Sequence, residues 1–176
     1  PAEAPNNNNT VTNNRIFAVQ NGIYNQGNAG LDQNWSVTNN ELGSNVEAEK
    51  NRFRGMLMGN ANNFTISGNT VLGVTNFTGT TGANTGIQLA FFLSNGTVTN
   101  NRISNVRNLS ASGTGAFGMQ LGATTTTNVL IANNFIWDIQ ALGSATVTSN
   151  AHGITVNGAA TTGAYKIYHN SINMNV

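Results

Sequence analysis

The residues best suited to chemistry lie in one short run, Glu47-Ala48-Glu49-Lys50-Asn51-Arg52-Phe53-Arg54, which holds five of the thirteen charged residues of the chain. Two carboxylates two positions apart, with cations beside them, could support acid–base work or hold a charged ligand. The same cations could instead neutralise the carboxylates, and a solvated, self-paired loop is the plainer reading. The other carboxylates, Glu3, Asp32, Glu41 and Asp138, are scattered along the chain. No residue is therefore assigned a catalytic role. His152 and His169 have no nearby Asp, Glu or Cys set, so no metal centre and no cofactor is expected. Among the aromatics, Trp35, Phe64 and Tyr165 fall on an inward phase, while Trp137, Tyr24 and Tyr168 fall outward. The expected binding face comprises Glu47, Glu49, Lys50, Arg52, Arg54 and Trp137.

Hydroxyl groups offer a different chemistry. Thr10-Val11-Thr12, Ser36-Val37-Thr38, Thr65-Ile66-Ser67 and Thr97-Val98-Thr99 would align as two columns if the segments stacked. The pattern fails at Leu130/Ala132 and Lys166/Tyr168. Thr also simply suits an exposed strand face.

Composition decides what can position these groups. The 176 residues include 33 Asn, 22 Thr and 20 Gly, and charged residues make up 7%. Net charge is +1 and cysteine is absent. So small and mixed a charge gives no footprint for nucleic acid. No apolar run approaches the roughly 18 residues of a spanning helix, and no membrane insertion is expected. Asn, Thr and Gly are poor helix formers, so the pattern is read in strands and turns.

A motif then recurs six times, as Val11-Thr-Asn-Asn14-Arg-Ile16, Val37-Thr-Asn-Asn40-Glu-Leu42, Ile66-Ser-Gly-Asn69-Thr-Val71, Val98-Thr-Asn-Asn101-Arg-Ile103, Ile131-Ala-Asn-Asn134-Phe-Ile136 and Ile167-Tyr-His-Asn170-Ser-Ile172. The last Asn of each copy follows its predecessor by 26, 29, 32, 33 and 36 residues. Between copies lies a second motif, a Gly followed by an apolar residue and, in four of five copies, another two positions later: Gly22-Ile23, Gly55-Met56-Leu-Met58, Gly86-Ile87-Gln-Leu89, Gly118-Met119-Gln-Leu121 and Gly153-Ile154-Thr-Val156. Period-two alternation makes each copy a strand with one apolar face. A repeat of this size cannot bury that face alone, so the repeats must stack. This predicts an all-β, single-stranded parallel β-helix of about five full coils and a partial sixth, with three short strands per coil. Asn14, Asn40, Asn69, Asn101, Asn134 and Asn170 then occupy a tight turn. Asn tolerates the left-handed conformation of such a turn, and its amide can bond to the coils above and below. His169, in place of the first Asn of a pair, suits the same turn. Absence of proline after Pro5 agrees with interior strands.

Residues 1–8 are expected to be a linker or the end of a preceding segment, and residues 9–176 a β-helix segment of a longer chain. An open last coil would otherwise need a partner to cover it. The connections before the Gly motif vary most, placing their insertions on one side of the stack, where solenoids usually bind.

The paired motifs resemble the parallel β-helix repeats of the pectin-lyase-like superfamily. Their Asn, Thr and Gly bias looks like that of secreted or surface β-helix proteins of Bacteroidota-type bacteria. The resemblance spans residues 9–176 and implies a right-handed coil. It also implies a secreted or cell-surface location, with glycans or surface polymers, or proteins of the type IX secretion machinery, as partners. The superfamily's lyases use carboxylate-bound calcium and an Arg or Lys base, and its polygalacturonases use several carboxylates; neither pattern is matched here. The expected role is a non-catalytic stalk, passenger or adhesin-like segment. A fragment of a polysaccharide lyase or glycoside hydrolase is the first alternative, and an ice-binding solenoid, suggested by the Thr columns, is the second.

Overall fold

The computed structural model describes residues 4–28, 31–76, 82–110, 114–143, 146, 149–157 and 165–174. Residues 1–3, and 77–81, 111–113, 144–145 and 147–148 of the variable connections, lie outside the described residues.

The chain forms a parallel β-solenoid. Each copy of the Asn motif opens a coil, and the coils stack in register, with Val11 on Val37, Val37 on Ile66, Ile66 on Val98, Val98 on Ile131 and Ile131 on Ile167. Two sheets run the length of the stack. The small sheet has six strands, from Arg15–Ile16 in coil 1 to Ser171–Asn173 in coil 6. The large sheet gathers the strands of the Asn and Gly motifs.

Three strands per coil thus condense into two sheets. In coils 3 and 4 the strand of the Gly motif runs on into the strand that opens the next coil. Asn84–Thr99 and Ala116–Ala132 are single strands of 16 and 17 residues. The chain bends inside them at left-handed Asn95 and Asn128, with φ of 50° and 55°.

The core lies between the sheets. Val37, Ile66, Val98 and Ile131 face Leu42, Val71, Ile103 and Ile136, and all are fully buried. Burying each such side chain contributes about 1.5–3 kcal/mol against its exposed state. A further apolar column, Val74, Val106 and Ile139, follows three residues after Val71, Ile103 and Ile136 and is also buried. Strict alternation would turn it outward. A left-handed residue in each gap, Gly73, Asn105 or Asp138, with φ of 80°, 53° and 53°, turns it back inside.

The Gly of the second motif is required by close approach. A Cβ on Gly86 would lie 2.6 Å from the Gly118 carbonyl oxygen and would collide with an Ile103 methyl. Gly55 and Gly118 are in the same position, against Val71 and Ile136.

Residues preceding the first motif dock on the segment 32–35 that leads into coil 2. The Asn6 N–H donates to Asp32 Oδ1 at 2.9 Å, and the Asn8 N–H to the Gln33 carbonyl at 2.8 Å. Trp35 Nε1 donates to the Asn6 carbonyl at 2.9 Å. Among the described residues no helix is long and apolar enough to cross a membrane.

Candidate functional site

At the corner between the two sheets, the Asn pair divides its work between its members. The first residue bends the chain. Asn13, Asn39, Gly68, Asn100, Asn133 and His169 all have positive φ, between 51° and 68°. The second residue stitches the coils. Asn14 Nδ2 donates to Asn40 Oδ1, Asn40 to Asn69, Asn69 to Asn101, Asn101 to Asn134 and Asn134 to Asn170, at 2.9–3.0 Å. From the sequence, both the turn conformation and the ladder are expected at the second Asn. The left-handed conformation belongs instead to its predecessor, which explains why Gly68 and His169 are accepted there.

Each interior ladder amide uses its whole hydrogen-bonding capacity. Asn101 Oδ1 accepts the Asn69 N–H and Asn69 Nδ2, both at 3.0 Å. Its Nδ2 donates to Asn134 Oδ1 and to the Ile66 carbonyl, both at 3.0 Å. Asn40, Asn69, Asn101 and Asn134 are buried. Asn14 and Asn170, at the two ends, are exposed and half-buried.

A second amide column lies at the other edge of the strands that open the coils. Asn8, Asn34, Asn63, Asn95 and Asn128 are all left-handed, with φ of 50–60°, and all exposed. Asn34 Nδ2 donates to Asn8 Oδ1 at 2.8 Å, Asn63 to Asn34 at 2.6 Å and Asn128 to Asn95 at 3.1 Å. Asn95 turns to Asn62 Oδ1 at 2.9 Å, and Lys166 Nζ caps the series on Asn128 Oδ1 at 2.9 Å. This column is not among the features expected from the repeat motifs. Its signal was the recurrence of Asn-x-Ser/Thr triplets at Asn8, Asn34, Asn63 and Asn95, each three residues before the motif's Val or Ile.

Between the two amide columns lie the hydroxyl rows. Thr10, Ser36, Thr65 and Thr97 align across four coils, as do Thr12, Thr38, Ser67 and Thr99. Neighbours within a column touch: Thr38 Oγ1 to Thr12 Oγ1 at 3.1 Å, Ser67 Oγ to Thr99 Oγ1 at 3.2 Å and Thr97 Oγ1 to Thr65 Oγ1 at 3.4 Å. Leu130 and Ala132 continue the register without hydroxyls.

The charged run Glu47–Arg54 supplies its own counter-ions. Glu47–Glu49 is one 3-10 turn. Glu47 pairs with Lys50 at 2.8 Å and with Arg52 at 3.1 Å. Hydrogen bonds from Lys50 and then Arg52 hold its carboxyl below the usual range. Glu49 is half-buried, and its backbone carbonyl accepts the Ala18 N–H at 3.1 Å. The Arg54 guanidinium lies 3.8 Å over the Phe53 ring and donates to Asn21 Oδ1 at 3.3 Å. Burial lowers its pKa from the ordinary arginine value. The loop also straps across the stack, since Asn105 Nδ2 in coil 4 donates to Asn45 Oδ1 in coil 2 at 2.9 Å.

Trp137 lies in coil 5, on the outer face of the small sheet. It stacks on Phe135, with ring centroids 4.5 Å apart and planes 24° apart. Its strand pairs with the strand that holds Asn105, the far anchor of the loop. Asp32 is buried in the large sheet, and Asp138 pairs with Arg107 at 3.1 Å on a different coil. His152 meets the Phe117 ring edge-on at 5.5 Å. Among the described residues no three His, Cys, Asp or Glu side chains are grouped to hold a metal ion. Compared with protein-family models, curated proteins and solved structures, the chain matches none.

Proposed function

We propose that the chain is a non-catalytic structural and display segment, a stalk or adhesin-like passenger of a secreted or cell-surface bacterial protein. One observation carries the reading. The buried amide ladder joins every coil to the next, from Asn14 to Asn170, without a disulfide. A stack stitched in this way is a stiff rod, and repeat stacks of this kind present long regular surfaces. The outer faces offer neutral amides and hydroxyls, groups that hydrogen-bond to glycans and surface polymers. The repeat motifs support a place near the pectin-lyase-like superfamily. The compositional bias supports an origin in Bacteroidota-type bacteria and export as type IX cargo.

The test is to pass the chain over a panel of immobilised polysaccharides while assaying for released reducing ends and unsaturated products. Retention without product is the expected outcome. Product formation would sink the reading and favour a lyase or hydrolase. Absence of retention on every polymer would remove the display half of the proposal.

Registered hydroxyl columns favour a second reading, ice binding. Strands about 4.8 Å apart, with like side chains about 6.6 Å apart along each strand, make a flat lattice of eight hydroxyls. Thermal hysteresis in a freezing assay, abolished by Thr38→Tyr with Thr65→Tyr, would establish it. No hysteresis would dismiss it.

A further inference from the structure

Six of the seven cationic side chains are engaged within the fold. Arg15 pairs with Glu41 at 2.9 Å, Lys50 and Arg52 with Glu47, and Arg107 with Asp138. Arg54 stacks on Phe53, and Lys166 donates to Asn128. Among the described residues Arg102 alone has no ion pair, hydrogen bond or ring contact from its side chain, and it is exposed.

Its position is informative. Arg102 is the direct cross-strand partner of Phe135, so the two side chains stand on adjacent rungs on one face of the small sheet. Phe135 is 42% exposed and stacks on Trp137. Beneath Trp137 in its own column lies Ser104, 2% exposed, with its hydroxyl unpartnered. Above the aromatic pair, Ser171 and Asn173 continue the two columns, both exposed. A free guanidinium, two stacked rings, the Ser171 hydroxyl and the Asn173 amide are therefore presented on three consecutive rungs of the small sheet, over the buried Ser104 hydroxyl.

We propose that this face is a docking site for an acidic glycan. A pyranose ring packs its apolar side against the Phe135–Trp137 pair, and its acidic group takes a bidentate hydrogen bond from Arg102. The proposal rests on the display reading above and names the ligand class of that surface. An acidic rather than neutral sugar follows from charge. Arg102, exposed on the rung next to Phe135 and with no carboxylate of its own, is the one uncompensated positive group on the face.

The experiment measures affinity by titration calorimetry of the whole chain with four probes. These are a uronate oligosaccharide, the same oligosaccharide with its carboxyls reduced to alcohols, a sulfated oligosaccharide and a neutral glucan. The uronate or the sulfated probe is expected to bind about tenfold tighter than its neutral counterpart. The tighter of the two identifies the acidic group. Arg102→Gln should abolish that preference and leave neutral binding unchanged, whereas Arg15→Gln should change neither. Trp137→Ala should weaken every probe about tenfold. Phe135→Ala, on a more exposed side chain, repeats this arm if Trp137→Ala does not fold. Equal affinity for acidic and neutral probes overturns the proposal, as does a preference that survives Arg102→Gln or binding untouched by both aromatic variants. If polysaccharides still retain the chain in such a case, only this site falls. If nothing retains it, the display reading falls as well.

Discussion

At the scale of the residue, two neighbouring asparagines do different physical work, and substitution separates them. Asn101 is fully buried and joins three coils through its amide. Asn101→Ala would strand the Asn69 donors and the Ile66 carbonyl inside the corner, at a cost of about 3 kcal/mol in urea unfolding. Asn14→Ala removes an exposed terminal rung and should cost under about 1 kcal/mol by the same measurement. An equal loss at both positions would contradict the ladder as a source of stability. Asn100, the bending residue, behaves otherwise. Its φ of 57° is the conformation glycine adopts freely, and Gly68 already fills the equivalent place. Asn100→Gly should lie within about 0.5 kcal/mol of wild type, whereas Asn100→Val should cost about 2 kcal/mol from backbone strain.

At the scale of the element, the Gly motif sets how closely the sheets approach each other at their junction. Gly86→Ala would force a methyl group into the Gly118 carbonyl and Ile103. The expected loss is about 2 kcal/mol in the same urea assay, from overpacking rather than from backbone conformation. The Glu47 turn gives a test in pH. Its carboxyl is held low, so its contribution is present above the ordinary glutamate range and is lost as pH falls through the lowered value. The effect is small because the side chain is 69% exposed. Melting curves of Glu47→Gln and wild type should therefore converge in acid and separate slightly at neutral pH. The elements also show what was legible beforehand. Alternation and the repeated Asn and Gly motifs were enough for the solenoid, the ladder residues and the inward columns. The merging of strands into 16- and 17-residue elements was hidden, because left-handed Asn95 and Asn128 read as breaks and act as bends. The free state of Arg102 was hidden too. Arg15 occupies the equivalent place in coil 1, and only the registers show that one faces Glu41 and the other Phe135.

At the scale of the whole molecule, the stack is close to one-dimensional. Among the described residues every strand pairing joins neighbouring coils, while the side-chain strap from Asn45 to Asn105 reaches from coil 2 to coil 4. Stability in such a stack is a sum of coil and interface terms, so opening can begin at either end without breaking the middle. Burial follows that gradient. Val98, Ile103 and Val106 of coil 4 are fully buried, while Ile167 and Ile172 of coil 6 are 40% and 47% exposed. Native-state hydrogen exchange should therefore find the amides of Ile103 and Val106 opening only with global unfolding. Those of Ile167 and Ile172 should open locally, with free energies lower by several kcal/mol. The strap adds a second expectation. Asn45→Ala removes one hydrogen bond worth about 1 kcal/mol, yet it unties coil 2 from coil 4, so protection of the coil 2 amides should fall while that of coil 5 stays unchanged. Uniform protection from Val37 to Ile167 would mean that the stack opens as a single cooperative unit, and the nearest-neighbour description would fail.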